Sequence, residues 1–559
     1  MEEDMITSCR GYRYQNGNVT EIDDVVVCED TITLFLNGRE YLRMAATCDM
    51  LTELGAGFFT ATGIAERILS VRVEGTKVFV EAELRCDVTP DGFAPAKPAR
   101  CITTEGVQIA PNEIFTLREA LNTKVWKDTG GMHCAGLWYD HRCVVVANDI
   151  GRHNAVDKVI GWMVLHNLPA KECMLGSTGR QPAGMVTKAV NAGIPVIAAR
   201  AAATVRGAKR AEEMGVTLIG FVREGRFTVY THPERITELN PEAGEPQPAK
   251  NCGVLAAPLR GIRYREGKSI PVEDAAVAED LVTLFLNGKE FIRTVASGEH
   301  LRELAVGFFV DAGLVCSASD ILSVRTEGAN VFVEASCTAC VAGELESAGG
   351  FTPLHARGRA HPRGEITPEE IFVIRDAINA EVWDATGGLH CAVLFHDHRV
   401  VFLASDIGRH NAVDKVIGYM ILAGLNPQEC VIGSTGRQPA GMVMKAANAG
   451  VPIVVSRAAA TDAGIATAKE CGVTLICFTR PPRFTVYAHP QRITGILLCR
   501  ENRSLQGFAD LSFWNWECLN TSAPGCTSSA TNLQIPFFIP CKYPCFDDMK
   551  WGRGFDTGD

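Results

Sequence analysis

Residues 430–478 read CVIGSTGRQPAGMVMKAANAGVPIVVSRAAATDAGIATAKECGVTLICF, and this stretch decides the fold class. Its short apolar runs CVIG, PIVV and TLIC predict buried strands. The segments GMVMKAANAG and ATAKECG, which lie between those runs, predict helices. Because strands alternate with helices, the stretch indicates a three-layer α/β core with a largely parallel sheet.

The residues upstream extend this pattern. TPEEIFVIRDAINAEVW (367–383) predicts a helix with a Thr N-cap and Pro at its first position, and HCAVLFHDHRVVFLAS (390–405) predicts a strand. Further upstream, β-like segments at 282–295 and 321–335 flank a helical segment at 299–313. We therefore expect an α/β protein in which a small α+β lobe precedes the α/β core.

The chain contains this whole arrangement twice. DIGRHNAVDKVIG (149–161) recurs unchanged at 406–418, and GSTGRQPAGMV (176–186) recurs unchanged at 433–443. A period this long indicates a domain duplication rather than a solenoid. The predicted boundaries are a first repeat at 1–239, a Pro-rich linker at 240–252, a second repeat at 253–498 and an unassigned tail at 499–559 that contains cysteines and aromatic residues.

Composition excludes several classes of protein. The chain has 559 residues with 54 Lys and Arg against 65 Asp and Glu, a net charge of −11, so no global basic field exists to bind DNA. No run reaches the roughly 18 apolar residues of a membrane span, and the N-terminus lacks a secretory apolar segment. We expect a cytoplasmic protein whose 21 cysteines are mostly reduced and buried.

Polar segments follow four predicted strands, where α/β sheets bind ligands: GRHN, STGR, SRAAAT and FTRPPR. Glycines, helix starts and arginines together are typical of phosphate binding, so the sequence predicts a nucleotide-like ligand. The alternative is that these segments are only helix caps and turns. The candidate binding residues here are Arg409, His410, Ser434, Thr435, Gly436, Arg437, Phe478, Thr479, Arg480, Pro481, Pro482 and Arg483.

Other polar residues shared by the repeats allow two interpretations. The histidines either contact the ligand or form structural hydrogen bonds, and the helical Asp-Lys pairs either bind ligand or pair with each other. The cysteines that follow TGG-x-His begin apolar runs and are expected to be buried. These residues are His133, His390, His153, His410, Asp157, Asp414, Lys158, Lys415, Cys134 and Cys391.

One thiol pair occurs in the second repeat only. Cys337 and Cys340 form a CxxC in a Gly/Ser/Ala-rich stretch, whereas the corresponding stretch of the first repeat has the single Cys86. Two thiols in a loop can carry a persulfide or cycle as a dithiol. Zinc is the competing interpretation, but a structural site needs four ligands, and only Cys541 and Cys545 in the tail offer a weak second pair. We predict no metal site.

TGGLHCA, DIGRHNAVDKVIG, STGR, AGVPIVVSRAAAT and GVTLICFTRPPRFTVYAHPQRI together resemble the FdhD family of formate dehydrogenase accessory sulfurtransferases, across about residues 5–240 and 255–495. The resemblance implies a cytoplasmic protein whose core is similar to the cytidine deaminase fold without its zinc chemistry. It implies transfer of sulfur from a cysteine desulfurase to the molybdenum or tungsten bis(molybdopterin guanine dinucleotide) cofactor, which formate dehydrogenase then receives. That cofactor would be a bound substrate rather than a permanent cofactor.

The resemblance also assigns residues. The family's CxxC matches Cys337, which would carry the persulfide, and Cys340, which would assist it. The family's cofactor-binding segment matches Phe478–Arg483 and, in the first repeat, Phe221, Val222, Arg223, Glu224, Gly225 and Arg226. Both repeats depart from the family pattern in reading QPAGM after STGR and AAAT further on.

The sequence therefore predicts a tandem sulfurtransferase in which one repeat transfers sulfur. Because family members resemble homodimers, the two repeats are expected to pack as an intramolecular pseudo-dimer. Two alternatives stay open: a chaperone that binds the cofactor without transferring sulfur, and a zinc or dithiol redox protein that uses the CTAC loop.

Overall fold

The computed structural model describes residues 5–85, 101–102, 107–241, 246, 255–315, 317–336, 364–378 and 387–495. The predicted linker falls largely outside these residues, and the predicted tail falls entirely outside them.

Helices and strands occur in the same order in both repeats. The helices of the first repeat are α1 (Leu51–Ala61), α2 (Pro111–Ala120), α3 (Lys124–Thr129), α4 (Arg152–Leu165), α5 (Ala183–Ala192) and α6 (Val205–Met214). Those of the second are α7 (Leu301–Asp311), α8 (Pro368–Ala377), α9 (Arg409–Leu422), α10 (Ala440–Asn448) and α11 (Asp462–Cys471).

The strands of the first repeat are β1 (Ile6–Gln15), β2 (Asn18–Val27), β3 (Asp30–Leu36), β4 (Arg39–Ala46), β5 (Ala65–Glu74), β6 (Lys77–Leu84), β7 (His133–Tyr139), β8 (Arg142–Asp149), β9 (Met174–Ser177), β10 (Val196–Ala199), β11 (Thr217–Arg223) and β12 (Arg226–Thr231). Those of the second are β13 (Ala256–Arg265), β14 (Lys268–Val277), β15 (Asp280–Leu286), β16 (Lys289–Ala296), β17 (Ile321–Glu327), β18 (Asn330–Ala335), β19 (His390–His396), β20 (Arg399–Asp406), β21 (Val431–Ser434), β22 (Ile453–Ser456), β23 (Thr474–Arg480) and β24 (Arg483–Ala488).

The small α+β lobe is present in both repeats as predicted. Its four-stranded sheet has the order β4-β3-β6-β5 in the first repeat and β16-β15-β18-β17 in the second, with one helix packed on it. Asn37 and Gly38 both have positive φ (48° and 80°), as a two-residue hairpin turn between β3 and β4 requires.

The core has three layers, as predicted. Leu175 and Ile197 face a buried cluster that includes α4, α5 and α6, whereas the adjacent Met174 and Val196 face a cluster that includes α2. Because successive strand residues point to opposite faces, this alternation places helices on both sides of the sheet.

The predicted largely parallel sheet is wrong. The core sheet of the first repeat has the order β14-β13-β12-β11-β10-β9-β7-β8, and within the described residues only β9–β10 and β10–β11 pair in parallel. One reason is that the long strand predicted at 390–405 is a hairpin, with a turn at Asp397 and His398 (φ 52° and 58°). The β11–β12 hairpin and the β13–β14 hairpin add further antiparallel pairs. Hairpins make antiparallel pairs, so the sheet is mixed.

The predicted helix at 367–383 is confirmed at its start. The Thr367 side chain accepts a hydrogen bond from Glu370 N, and Glu370 Oε2 accepts one from Thr367 N, which is a capping box. In the first repeat the corresponding segment is two helices, α2 and α3, and Thr123 caps the second of them.

Each core sheet contains a hairpin from the other repeat. β1 pairs with β24 (Tyr12 opposite Val486), and β13 pairs with β12 (Ile262 opposite Val229). Gly11 lies at one crossing, where an added Cβ would sit 3.2 Å from Val486 O. The sequence did not predict this exchange, and both repeats consequently lie within a single compact unit.

The small lobe is fixed to the core by a close helix crossing. Gly57 of α1 and Gly161 of α4 face each other so closely that a Cβ on either would overlap backbone atoms of the other helix. Gly307 and Gly418 repeat this crossing between α7 and α9. Among the helices that the structure describes, none is both long and apolar enough to cross a membrane.

Candidate functional site

The thiols predicted to carry sulfur, Cys337 and Cys340, lie outside the described residues, as does Cys86. The described part of the predicted site consists of the four polar segments that follow strands, GRHN, STGR, SRAAAT and FTRPPR, which together form its rim.

The segment Phe478–Arg483 forms the turn between β23 and β24. A bulge, in which Phe478 has φ 51°, separates Cys477 from Arg480, whose partner across the turn is Arg483. Thr479 is buried and its hydroxyl donates to Ser456 O (2.9 Å). Arg480, Pro481, Pro482 and Arg483 are exposed. The turn therefore holds two guanidinium groups at the surface on a backbone anchored to the neighbouring strand.

A cavity of about 420 Å³ lies at this turn, and both repeats contribute to it. Its wall combines the second repeat's turn with the exchanged hairpin and α3 of the first repeat. The lining residues are Arg13, Asp24, Trp126, Lys127, Asp128, Thr129, Gly130, Phe478, Arg480, Arg483 and Thr485.

The charges around this cavity favour an anion. Among the described residues that line it are four cationic side chains and two carboxylates. One of these, Asp24, is engaged within the protein, since its Oδ2 accepts a hydrogen bond from the Tyr487 hydroxyl (2.6 Å) and lies 3.6 Å from Arg13 Nη2. Arg480 and Arg483 can therefore hold phosphate oxygens, for which the guanidinium fork is suited.

The matching segment of the first repeat, Phe221–Arg226, has the same geometry. Phe221 has φ 51°, Val222 is buried, and Glu224 and Arg226 are exposed at the turn with Gly225 between them (φ 69°). The guanidinium of Arg223 donates to Arg200 O.

Several arginines lie close together at this turn of the first repeat. Burial and the neighbouring cations Arg200, Arg226 and Arg118 lower the pKa of Arg223. Burial and Arg118 likewise lower the pKa of Arg200. Guanidinium groups that disfavour each other's charge are stabilised when an anion binds among them, so this turn is also a candidate phosphate site.

The sequence missed the residues that connect these two turns. Trp126 borders the cavity, and the Arg200 guanidinium carbon lies 5.0 Å from its ring centroid. Arg200 also donates to Asn122 Oδ1 (2.7 Å). The position of Trp126 just before a TGG segment was the available signal. No motif in the sequence marked Arg13 and Asp24, because their hairpin reaches the cavity only by joining the sheet of the other repeat.

The predicted rim residues of GRHN and STGR mainly hold the fold together. Arg409 is buried behind Gly436, His410 is half-buried, and neither belongs to the cavity wall. Ser434 Oγ accepts from Gly436 N (3.0 Å), and Thr435 Oγ1 accepts from Cys391 N (3.0 Å). These contacts support the interpretation of the two segments as caps and turns.

Arg437 reaches into the other repeat. Its guanidinium donates to Gly131 O (3.1 Å), and Arg180 donates to Gly388 O (2.8 Å) in the reciprocal contact. Such reciprocal contacts are the arrangement expected of an intramolecular pseudo-dimer.

The helix starts after STGR are capped by the protein itself. Glu29 Oε2 accepts from Ala440 N at the start of α10 (3.1 Å), and Glu279 Oε1 accepts from Ala183 N at the start of α5 (3.3 Å). Each glutamate comes from the other repeat. An internal carboxylate thus occupies the position where the sequence predicted a ligand phosphate.

The Asp and Lys side chains that the two repeats share form buried ion pairs with other residues rather than with each other. Lys158 Nζ lies 2.9 Å from Asp149 Oδ2 and 2.8 Å from Asp49 Oδ1. Although burial acts to lower it, these carboxylates raise the pKa of Lys158 above its ordinary value. Asp157 pairs instead with Lys188 (2.7 Å). These five side chains therefore stabilise the joint between lobe and core.

The remaining predicted residues are also engaged in the fold. His390 Nδ1 lies 3.2 Å from Thr435 Oγ1, and His133 Nδ1 lies 3.4 Å from Thr178 Oγ1. Cys134 and Cys391 are fully buried, as expected. Burial raises the pKa of the Cys134 thiol above its ordinary value, which disfavours the thiolate form.

Comparison with known proteins gives matches over both repeats. The FdhD/NarQ family model matches residues 27–237 and again residues 277–494. The sulfur carrier protein FdhD of Bacillus subtilis (strain 168) is 29% identical over 261 residues, which cover 42% of this chain and 99% of the relative. The sulfur carrier protein FdhD of Methanothermobacter thermautotrophicus is 36% identical over 246 residues, which cover 41% of this chain and 98% of the relative.

Among solved structures, one described as a formate dehydrogenase accessory protein from Desulfotalea psychrophila is 26% identical, with a TM-score of 0.37, and the match covers 43% of this chain and 99% of that one. Each of these proteins corresponds in extent to one repeat. Since the family model matches two successive segments that together span most of the chain, this protein belongs to the FdhD/NarQ family and carries the family sequence twice in tandem.

Proposed function

We propose that this protein is a cytoplasmic sulfur carrier for formate dehydrogenase, which passes sulfur from a cysteine desulfurase to a molybdenum or tungsten bis(molybdopterin guanine dinucleotide) cofactor. The names of the relatives support the sulfur-carrier role and the formate dehydrogenase client. The core is inferred to follow the cytidine deaminase-like arrangement that the family resemblance implies.

The observation that carries the proposal is the cationic cavity at the junction of the repeats. Arg480 and Arg483 border it on one side, and the first-repeat turn with Arg223 and Arg226 repeats the arrangement. A substrate with two nucleotide arms can place one phosphate group at each of these two turns, which supports the proposal.

Sulfur transfer is assigned to Cys337 and Cys340. The Cys337 thiolate attacks the outer sulfur of the desulfurase persulfide, a new S–S bond forms, and the desulfurase cysteine leaves as a thiolate. Cys340 then attacks the inner sulfur of the Cys337 persulfide. Sulfide leaves for the cofactor metal, and the resulting Cys337–Cys340 disulfide is returned to two thiols by a thiol reductant.

Peptide mass spectrometry tests the carrier role. The full chain is incubated with a cysteine desulfurase and cysteine, and the Cys337 peptide is expected to gain the mass of one sulfur atom. Cys86→Ala serves as the matched control in the repeat without a CxxC, and it should not change the adduct. Loss of formate dehydrogenase activation in Cys337→Ala, measured in a strain that lacks its own factor, is the expected functional result.

Other outcomes would identify the alternatives. A chain that binds GDP but never acquires the sulfur adduct would be a cofactor chaperone. Stoichiometric zinc that is lost in Cys337→Ala would indicate a zinc protein, and the sulfurtransferase assignment would then be abandoned.

A further inference from the structure

Trp126 is an aromatic residue that was not among the predicted site residues. It lies on α3 of the first repeat, is half-buried, and borders the same cavity as Arg480 and Arg483 of the second repeat. The Arg200 guanidinium lies over its ring (5.0 Å to the centroid), and Arg200 is itself held by Asn122. This cation–π contact restrains the indole in place before any ligand arrives.

The cavity combines two kinds of recognition. Arg480 and Arg483 offer charged donors for phosphate oxygens, while the indole of Trp126 offers a planar apolar surface. The volume of about 420 Å³ lies within the range of pockets that enclose small ligands, roughly 300–1,000 Å³. A nucleotide has this combination, since its charged phosphates are joined to a flat base that stacks on aromatic side chains.

We propose that Trp126 is the surface on which the nucleobase of the ligand stacks. The first repeat then supplies the base-binding wall of a site whose phosphate-binding arginines lie in the second repeat. This inference rests on the proposed function, because it takes a guanine nucleotide as the ligand. It also gives the first repeat a role in the absence of a CxxC, since the second repeat's cavity is incomplete without it.

The test compares two probes on the full-length chain by titration calorimetry. GDP carries a base and phosphates, whereas inorganic pyrophosphate carries phosphates alone. Trp126→Ala is expected to weaken GDP binding roughly tenfold or more and to change pyrophosphate binding less than about twofold. Trp126→Phe should retain most of the GDP affinity, because a phenyl ring also stacks. Arg480→Ala should weaken the binding of both probes.

Trp162→Ala is the matched control. Trp162 lies on α4, where its ring stacks on His166 (3.9 Å between centroids), and it is not part of the cavity wall. The control variant should bind both probes as the unmodified protein does.

The results distinguish the two proposals. If the unmodified protein binds GDP but Trp126→Ala binds it equally well, or loses both probes to the same extent, the stacking role is wrong while the nucleotide site stands. If the unmodified protein binds neither probe, the proposed ligand is wrong, and the stacking role falls with it.

Discussion

The guanidinium of Arg437, in the second repeat, donates a hydrogen bond to the carbonyl oxygen of Gly131, in the first repeat (3.1 Å). Arg180 and Gly388 form the reciprocal bond at 2.8 Å. Each arginine belongs to an STGR segment and each glycine to a TGG segment, so two motifs of one repeat meet their counterparts in the other. The STGR and TGG motifs shared by the repeats therefore hold the pair together.

Arg437→Ala is expected to lower the free energy of unfolding by about 1.5–3 kcal/mol, because it removes a charged donor from a part-buried carbonyl. Urea unfolding followed by circular dichroism measures this change. Arg10→Ala is the control, since the Arg10 side chain is 68% exposed, and its effect should stay within about 0.5 kcal/mol. A normal unfolding midpoint together with weakened GDP binding would instead make Arg437 a ligand residue.

Gly57→Ala should destabilise the protein by roughly 1–3 kcal/mol or more, because the added methyl group would overlap the Asp157 carbonyl and force α1 away from α4. Gly184→Ala is the matched helical control. No atom lies within 4 Å of a Cβ built at Gly184, so alanine there should stabilise α5 by about 0.5–1 kcal/mol. Thermal unfolding of both variants checks the prediction, and equal effects would contradict the close crossing.

Asp311 should make stability depend on pH. It is buried with Asp414 around the single cation Lys445, whereas the first repeat has Ala61 at the aligned position beside its Asp157–Lys188 pair. Burial and the second carboxylate raise the pKa of Asp311 to about 7. A carboxyl group with a raised folded-state pKa binds its proton more tightly when folded, so its stabilising effect is present at acid pH and is lost as the pH rises towards 7.

Asp311→Asn removes this titration. We expect the variant to be more stable than the unmodified protein at about pH 8, and the difference to shrink at about pH 5, in urea unfolding at both values. Ala61→Asp is the reverse substitution, which introduces the second carboxylate into the first repeat, and it should destabilise most at about pH 8. A difference between Asp311→Asn and the unmodified protein that does not change with pH would show that Asp311 keeps an ordinary pKa.

The second repeat alone, residues 253–498, is expected to form dimers. In the full chain β24 pairs with β1 of the other repeat, and β13 pairs with β12 of the other repeat. In an isolated repeat the edge of β24 has no partner strand, and the β13–β14 hairpin has no sheet to join. Two copies can provide both pairings by exchanging hairpins. Light scattering measures the mass. A monomeric second repeat with full activating ability would refute both the exchange and the need for the first repeat.

Much of the fold was predictable because it depends on local pattern. The Thr367 cap, the NG turn at Asn37 and Gly38, and the alternation of strands with helices are determined by residues that lie close together in sequence. The parallel sheet was predicted wrongly for one local reason, besides the exchange of hairpins. Asp397 and His398 form the hairpin turn and both have positive φ. Because neither residue is a glycine, no glycine in the sequence marked this turn.

The candidate site was predictable only in part. Phe478–Arg483 was predicted as a binding segment from its position after a strand. Arg480 and Arg483 border a cavity, and their role in binding stays a prediction. Arg409 is buried instead, and Glu29 caps the helix start where a phosphate was expected. These outcomes depend on which side chain of the other repeat reaches the same place, and no spacing in the sequence records that.

Contiguous residues specify the duplication, the lobe-and-core order of each repeat, the family and the location of the one CxxC, so the sequence alone was sufficient to predict them. The exchange of hairpins and the composition of the cavity depend instead on how distant parts of the chain pack together. Arg13, Trp126 and Arg480 are far apart in the chain and meet because β1 pairs with β24. A pairing between distant strands is selected by the burial and hydrogen bonding of the whole assembled sheet, which no single segment of the sequence contains.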